Sequence, residues 1–315
     1  PNLAAVLLIG LGCEGTEMPT VQKAVAACGK PVQTLFIQEL GGAAKTTAEG
    51  MLIAQEMAIQ ASRLKPQECD GGDIVLGLKC GSSDTTSGLA ANPALGVVVE
   101  HLVAENAVVI LGEVTEFIGA EHILAAQAKD QATGDKILAL VERMENRVKA
   151  MGVDMRGGQP TPGNIAGGLT TIEEKSLGAI AKVGNAVVQE VYEYGQAPGV
   201  KGLVVMDSPG REPEILTGLA AAGCNVITFT TGRGAPQGFP FVPVIKITGN
   251  EKTWNHLRDH MDLSVHQVMD GKESLGQAGT RIYEAIETVA SGTRTKAEIS
   301  GYVQAMDIYV TGPVI

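Results

Sequence analysis

The chain predicts an α/β fold, with largely parallel sheets, helices on their faces, and two α/β lobes. Three observations carry this. The runs LAAVLLIG, IVLGLKC, AVVILGEV and GLVVM are almost continuously apolar, which is the pattern of a strand buried on both faces. Segments with apolar residues at helical spacing fall between such runs. Most runs end in short polar loops, and 40 glycines with only 3% aromatic residues imply many tight turns and close-packed small side chains.

Residues 3–9 form the first strand, which runs into Gly-Leu-Gly-Cys-Glu-Gly. Val21–Ala27 reads as a helix, VQTLFIQEL at 32–40 as a second strand, and Thr46–Ala61 as a helix with one apolar face. Arg63–Asp73, with Pro66, Cys69 and a Gly pair, marks the boundary between lobes, giving residues 1–68 and 69–315. Beyond it, residues 74–80 are a strand ending in GSSDTTSG, Ala94–Ala104 a helix, and 107–114 a strand. Glu121–Met151 reads as one long amphipathic helical region. Residues 202–210, 224–234 and 242–250 are strands that end in polar residues, with a helix at Glu214–Ala222 and a closing helix at Gly276–Ala290.

The 315 residues suffice for two domains and a substantial core. A net charge of −11 leaves no basic surplus to neutralise phosphates, which argues against nucleic acid or acidic membranes as partners. An anionic small molecule needs only a local cluster of cations. Five widely spaced cysteines without a CxxC pair suit a reduced, cytoplasmic protein with no disulfide framework. The sequence shows no run of eighteen apolar residues and no signal peptide. The chain opens with Pro at the edge of a strand, so it reads as a piece of a longer protein, or as a subunit separated from an upstream region.

The segment QPTPGNIAGGLTTIEEKSLG, 159–178, is the most informative. Its prolines and glycines prevent one regular element, while Thr161, Asn164, Thr170 and Thr171 supply polar groups. A Thr cap followed by Glu173 and Glu174 suits a helix start. A site-forming loop is favoured over a solvated linker, because linkers seldom combine Asn, Thr, paired Glu and Lys so densely. In TTGRG at 230–234, backbone amides and the Thr230 and Thr231 hydroxyls can cradle oxygens, and Arg233 can grip a carboxylate with two hydrogen bonds. KCGSSDTTSG at 79–88 brings a thiol, hydroxyls and a carboxylate together. From the pattern alone, Cys80 is either a metal thiolate or an ordinary buried cysteine. Glu113, Glu116, Glu121 and His122 are weaker signals, and His256, His260 and His266 read as surface residues. Walker and GxSxG motifs are absent.

Taken together, LLIGLGCEG, LKCGSSDTTSGLAANPALG, GEVTEFIGAEH, QPTPGNIAGGLTTIEEKSLG, MDSPGREPEILTGLAAAG and FTTGRGAPQGFPFVPVIKITGN resemble the altronate/galactarate dehydratase family of sugar-acid hydro-lyases. These blocks run in the family's order from near the start to about residue 250. The resemblance implies that residues 1–68 are the remainder of a middle α/β domain and 69–315 the C-terminal catalytic domain. It implies a hydro-lyase that converts a sugar acid into a 2-keto-3-deoxy acid with a divalent metal, Fe2+ first and Mg2+ or Mn2+ as alternatives. It also implies a small N-terminal-type domain or subunit as partner, and a homo-oligomer.

On this resemblance Cys80 and Glu174 are the metal ligands, and Arg233 and Lys246 grip carboxylate. Asn164, Thr230, Thr231, Ser83 and Asp84 bind substrate, and Lys175 is the base if a dry site lowers its pKa. The sequence departs from the family's wording in three places. Ser82 stands where many members have Gly, MDLSVH (261–266) stands for MDINAG, and GYVQAM (301–306) for the HREF block. The SDTTSG wording is shared with sulfolactate sulfo-lyase large subunits, which eliminate sulfite by the same proton abstraction, so such a lyase is the alternative. A non-catalytic ligand-binding subunit is a third reading.

Overall fold

The computed structural model describes residues 2–312, which divide between Glu68 and Cys69 into two compact units. In the first, β1 (Val6–Gly10) and β2 (Val32–Phe36) pair in parallel, with α1 (Met18–Ala27) between them in the chain. The strand expected over 32–40 is shorter than its apolar run. It stops at Phe36 and turns into a single helical turn, α2 (Ile37–Leu40), closed by Gly41 at φ 82°. A left-handed glycine is helix C-cap chemistry, and FIQEL carries no feature that separates a strand end from a helical turn. α3 (Ala43–Ala61) follows and lays Gly50 close to Leu7 and Leu35.

The second unit holds β3 (Val75–Gly81), β4 (Val108–Leu111), β5 (Val188–Tyr192), β6 (Gly202–Met206), β7 (Val226–Thr231), β8 (Val244–Thr248) and β9 (Leu263–Ser264). They form one seven-stranded sheet in the order β5-β6-β4-β3-β7-β8-β9, and every pairing is parallel. The helices are α4 (Asn92–Ala104), α5 (Glu121–Ala126), α6 (Gln131–Ala150), α7 (Met155–Gly158), α8 (Pro162–Ala166), α9 (Ile172–Ile180), α10 (Glu212–Ala221), α11 (Glu251–His256), α12 (Leu275–Ala290) and α13 (Lys296–Ser300).

Alternate strand residues face two cores, as the period of two requires. Leu76, Leu78, Val109, Leu111, Leu203 and Val205 join α4, α6 and α12 on one face. Ile110, Val204, Met206, Ile227, Phe229 and Val244 meet Ile215, Leu216 and Leu219 of α10 on the other. Ser87–Ala104 is long and apolar enough to cross a membrane, but Ala90, Ala91, Ala94, Leu95, Val98, Val99 and Leu102 bury its inner face in this core.

Two expectations are corrected in detail. Glu121–Met151 is two helices, because the Asp130 carboxylate accepts from the Thr133 amide at 2.8 Å and starts a new helix there. β5 and β9 had no strand signal. β5 is an edge strand whose VQEVY residues are mostly half-buried, and β9 has only two residues.

Candidate active site

From β3 the chain adds β4, then the edge strand β5, then β6 between them, and afterwards crosses to β7, β8 and β9 on the other side of β3. The reversal places a crevice beyond the carboxyl ends of β3 and β7, where ligands of open α/β sheets sit. The loop after β3 begins at Ser82, whose φ of 48° lies in the left-handed region that favours glycine. Its carbonyl accepts from the Arg233 amide at 3.1 Å, joining the loops of β3 and β7. Asp84 is buried behind them. One carboxylate oxygen accepts from Thr86 Oγ1 at 2.7 Å and the Ser87 amide at 3.1 Å, the other from Asn250 Nδ2 at 2.7 Å. Gly232 has to be glycine, because a Cβ there would overlap the Asp84 carboxyl. Next, Ser87–Ala91 winds as a π-helix, a rare form that is frequent at functional sites.

The segment 159–168 is an ordered loop that reaches several strand ends. Thr161 and Asn164 form a capping box that starts α8, and Asn164 Nδ2 donates to the Ser83 carbonyl at 2.9 Å. The Thr85 amide donates to the Gly167 carbonyl at 3.0 Å, and Arg233 Nη1 donates to the Gly163 carbonyl at 3.1 Å. Gln159, at the other end, accepts from Lys175 Nζ at 3.0 Å. One short loop therefore ties the ends of β3 and β7 to the start of α9.

Lys175 Nζ also donates to Glu116 Oε1 at 3.0 Å, with about a tenth of each side chain exposed. Glu116 Oε2 is buried and accepts no hydrogen bond among the described residues. Beneath this pair, Glu113 takes Lys79 at 2.6 Å on one oxygen, and Lys182 at 2.9 Å and the Cys80 amide at 2.7 Å on the other. Lys79 also donates to the Cys80 and Gly210 carbonyls. Burial opposes the Glu113 charge, but Lys182 and Lys79 outweigh it and hold the carboxyl below its usual range. Burial likewise opposes the Lys182 charge, and Cys80 and Glu113 overcome it and raise the ammonium. Glu113 is a non-glycine residue at φ 65°, ψ 58°, a backbone strain typical of sites that the surroundings over-determine.

The structure gathers some of the expected site residues and separates others. Asn164, Ser83, Asp84 and Arg233 meet at the β3–β7 crevice, and Lys175 joins them through the loop. Thr231 and Thr230 lie at the end of β7, but their hydroxyls are engaged. Thr231 Oγ1 accepts from the Gly234 amide at 3.0 Å, and Thr230 Oγ1 donates to Asn92 Oδ1 at 2.6 Å. Lys246 is not set beside Arg233 to grip a carboxylate. It stands in the middle of β8, in register with Phe229, on the sheet face opposite Thr230, fully buried with no hydrogen-bond partner for Nζ among the described residues.

The pair named for a metal, Cys80 and Glu174, does not fit a divalent cation as placed. Cys80 Sγ accepts from the Lys182 ammonium at 3.1 Å, and burial, with Glu113 alongside, pushes its thiol up to about 11. A metal needs the thiolate, which burial disfavours here, and the ammonium against Sγ would repel the cation. Glu174 Oε2 turns instead to the Thr170 hydroxyl at 2.5 Å and amide at 2.7 Å, which hold its carboxyl below its usual range. Among the described residues no group of three or more His, Cys, Asp or Glu is arranged to hold a metal.

Sequence reasoning did not single out Lys79, Lys182 or Gln159, and it placed Glu116 low. A lysine inside the apolar IVLGLKC run was the available signal for Lys79. Lys182 stands alone in AIAKVGNAVV, and Gln159 carried no signal beyond its place in the loop.

The family model "D-galactarate/Altronate dehydratase, C-terminal" matches residues 72–312, and "D-galactarate dehydratase/Altronate hydrolase, second domain" matches residues 1–62. This chain belongs to the galactarate/altronate dehydratase family. It is similar to (2R)-sulfolactate sulfo-lyase subunit beta of Chromohalobacter salexigens, 37% identical over 96% of this chain and 77% of that protein. It is also similar to galactarate dehydratase (L-threo-forming) of Escherichia coli, 33% identical over all of this chain and 61% of that protein. Altronate dehydratase of the same organism is 32% identical over 94% of this chain and 59% of that protein. The chain thus spans about three fifths of the two dehydratases and about three quarters of the sulfo-lyase subunit. These relatives of the dehydratase-family chain are lyases by name, so an elimination is the chemistry against which its crevice is to be judged.

Proposed function

We propose that this chain carries the catalytic part of a lyase that eliminates water from a small sugar acid of the galactarate or altronate type. The observation that supports it is the Glu116–Lys175 pair, in which one carboxylate oxygen is held by an ammonium and the other is buried and unpartnered. The free lone pairs lie on Glu116, so Glu116 Oε2 takes the proton next to the substrate carboxylate, and Lys175 is its cationic partner instead of the base. Arg233, whose guanidinium donates to the Gly163 carbonyl, binds that carboxylate at the rim. As the carbon–hydrogen bond breaks, negative charge grows on the carboxylate oxygens, where Arg233 and Lys175 stabilise it. The electron pair then forms the carbon–carbon double bond, and the β-hydroxyl leaves with a proton from Lys175 as water. The resulting enol tautomerises to the 2-keto-3-deoxy acid.

The same first step on sulfolactate would expel sulfite and give pyruvate. The sulfo-lyase relative's coverage keeps this as the second reading. Its designation as a subunit beta supports a further small domain or subunit as working partner. The resemblance also implies a divalent metal. Since Cys80 and Glu174 do not suit one, no step here runs through it.

The test uses the full-length protein under anaerobic conditions with ferrous iron, with product detection by NMR. Galactarate, altronate and sulfolactate are offered separately to the wild type and to Glu116→Gln. A 2-keto-3-deoxy acid, lost by about a hundredfold or more in the variant, is expected. Pyruvate with sulfite would select the second reading, and undiminished turnover by Glu116→Gln would remove Glu116 as the base.

A further inference from the structure

Glu113 and Lys182 take no part in the chemistry just described, and both are fully buried. Each nevertheless belongs to an element that carries one half of the acid–base pair. The Glu116 amide donates to the Glu113 carbonyl at 2.8 Å, closing the turn Val114–Glu116, so the backbone of Glu113 sets where Glu116 begins. Lys182 sits in the turn Ala181–Val183 that directly continues α9, and α9 carries Lys175 near its start. Lys182 follows Lys175 by seven positions, and their ammoniums reach Glu113 and Glu116, two residues of one short segment.

The 2.9 Å ion pair between Glu113 and Lys182 therefore fixes the far end of α9 against the residue that launches the Glu116 turn. The Ser176 hydroxyl bond to the Ile118 carbonyl, 2.7 Å, holds the middle of the same contact. The opposite side of Glu113 is anchored through Lys79 to the Gly210 carbonyl and through its own amide to Ser208 Oγ at 2.8 Å. A residue this heavily tied keeps a left-handed backbone that glycine would adopt without strain, and glycine could not supply the carboxylate.

We infer that the Glu113–Lys182 ion pair is a positioning device that holds Glu116 and Lys175 in register for proton transfer. The inference rests on the reading of Glu116 and Lys175 as the acid–base pair. Misplacing a reacting group by about an ångström can cost about a hundredfold in rate while substrate contacts stay in place. The predicted signature is thus on kcat and not on KM.

The decisive variant is Lys182→Met, because Glu113 keeps Lys79 and no buried charge is left unpaired. In the full-length enzyme it should fold, lower kcat about tenfold or more, and leave KM within about twofold. In a Lys175→Met background the same substitution should cost little further, since the partner it positions is gone. Wild-type kcat in Lys182→Met would overturn the inference. An equal loss in both backgrounds would also overturn it, because that is the mark of general packing. Lys182→Arg, which keeps the charge but displaces it, provides a second reading should the Met variant fail to fold. It should lose kcat in part, and wild-type kcat would again overturn the idea. Full turnover by both Glu116→Gln and Lys175→Met would remove the acid–base reading itself, and the positioning role with it, before Lys182 is scored.

Discussion

A lysine ammonium buried without a hydrogen-bond partner is destabilising, and Lys246 is such a residue. Burial pulls its pKa down from 10.5 to about 8, with Asp262 and Glu298 only partly opposing. The unfolded chain therefore binds the extra proton between about pH 8 and 10.5, and stability attributable to this residue rises with pH across that window. Below pH 8 the penalty is fully present, on the order of 3 kcal/mol from the shift. Lys246→Met should accordingly stabilise the protein by about 2 kcal/mol at neutral pH. The advantage over wild type should shrink towards pH 10.5 in denaturant melts run across the range. A variant less stable than wild type at pH 7 would show that Lys246 is compensated in a way that its surroundings do not reveal. Ser82 shows strain of another kind: its φ of 48° is a backbone conformation that glycine would adopt more easily.

At the level of elements, the loop 159–168 does in three dimensions what its composition announced. Its prolines and glycines forbid a regular element, and its polar residues find partners in the β3 loop, the β7 loop and α9. A Cβ on Gly167 would fall 2.8 Å from Asp84 Cβ, which shows how closely the two loops pack. Asn164→Ala removes both the capping box and the Ser83 contact. It should cost about 1–2 kcal/mol of stability, and lower kcat/KM about tenfold or more because the loop positions Arg233. Thermal melts and steady-state kinetics on the same samples check both.

The strands of the central sheet were legible because burial on both faces leaves continuous apolar runs. The edge strand β5 was not, since VQEVY is half-buried and carries charge. At the site, residue types and strand ends were readable, but the direction of a side chain was not. Lys246 and Thr230 lie on neighbouring strands, one register position apart, and therefore face opposite ways. Cys80 could be metal ligand or core residue until Lys182, distant in sequence, proved to lie against it.

For the molecule as a whole, the metal expected from the sequence resemblance finds an unsuitable donor pair in Cys80 and Glu174. Cys80→Ser combined with Glu174→Gln should leave the metal content of iron-loaded full-length protein unchanged. Elemental analysis checks this, and loss of bound metal would restore that pair as ligands. The strand order has a further consequence for the chain as it is made. The bond from Thr230 to the Lys79 carbonyl joins residues 151 positions apart. At roughly 5–20 residues per second, synthesis leaves one flank of β3 without its neighbour for roughly ten to thirty seconds after β3 emerges. A nascent chain stopped before β7 would thus own Cys80, Asp84 and Glu113 without the crevice they help to build. The proposed site comes into being late, all at once, as the last third of the polypeptide arrives.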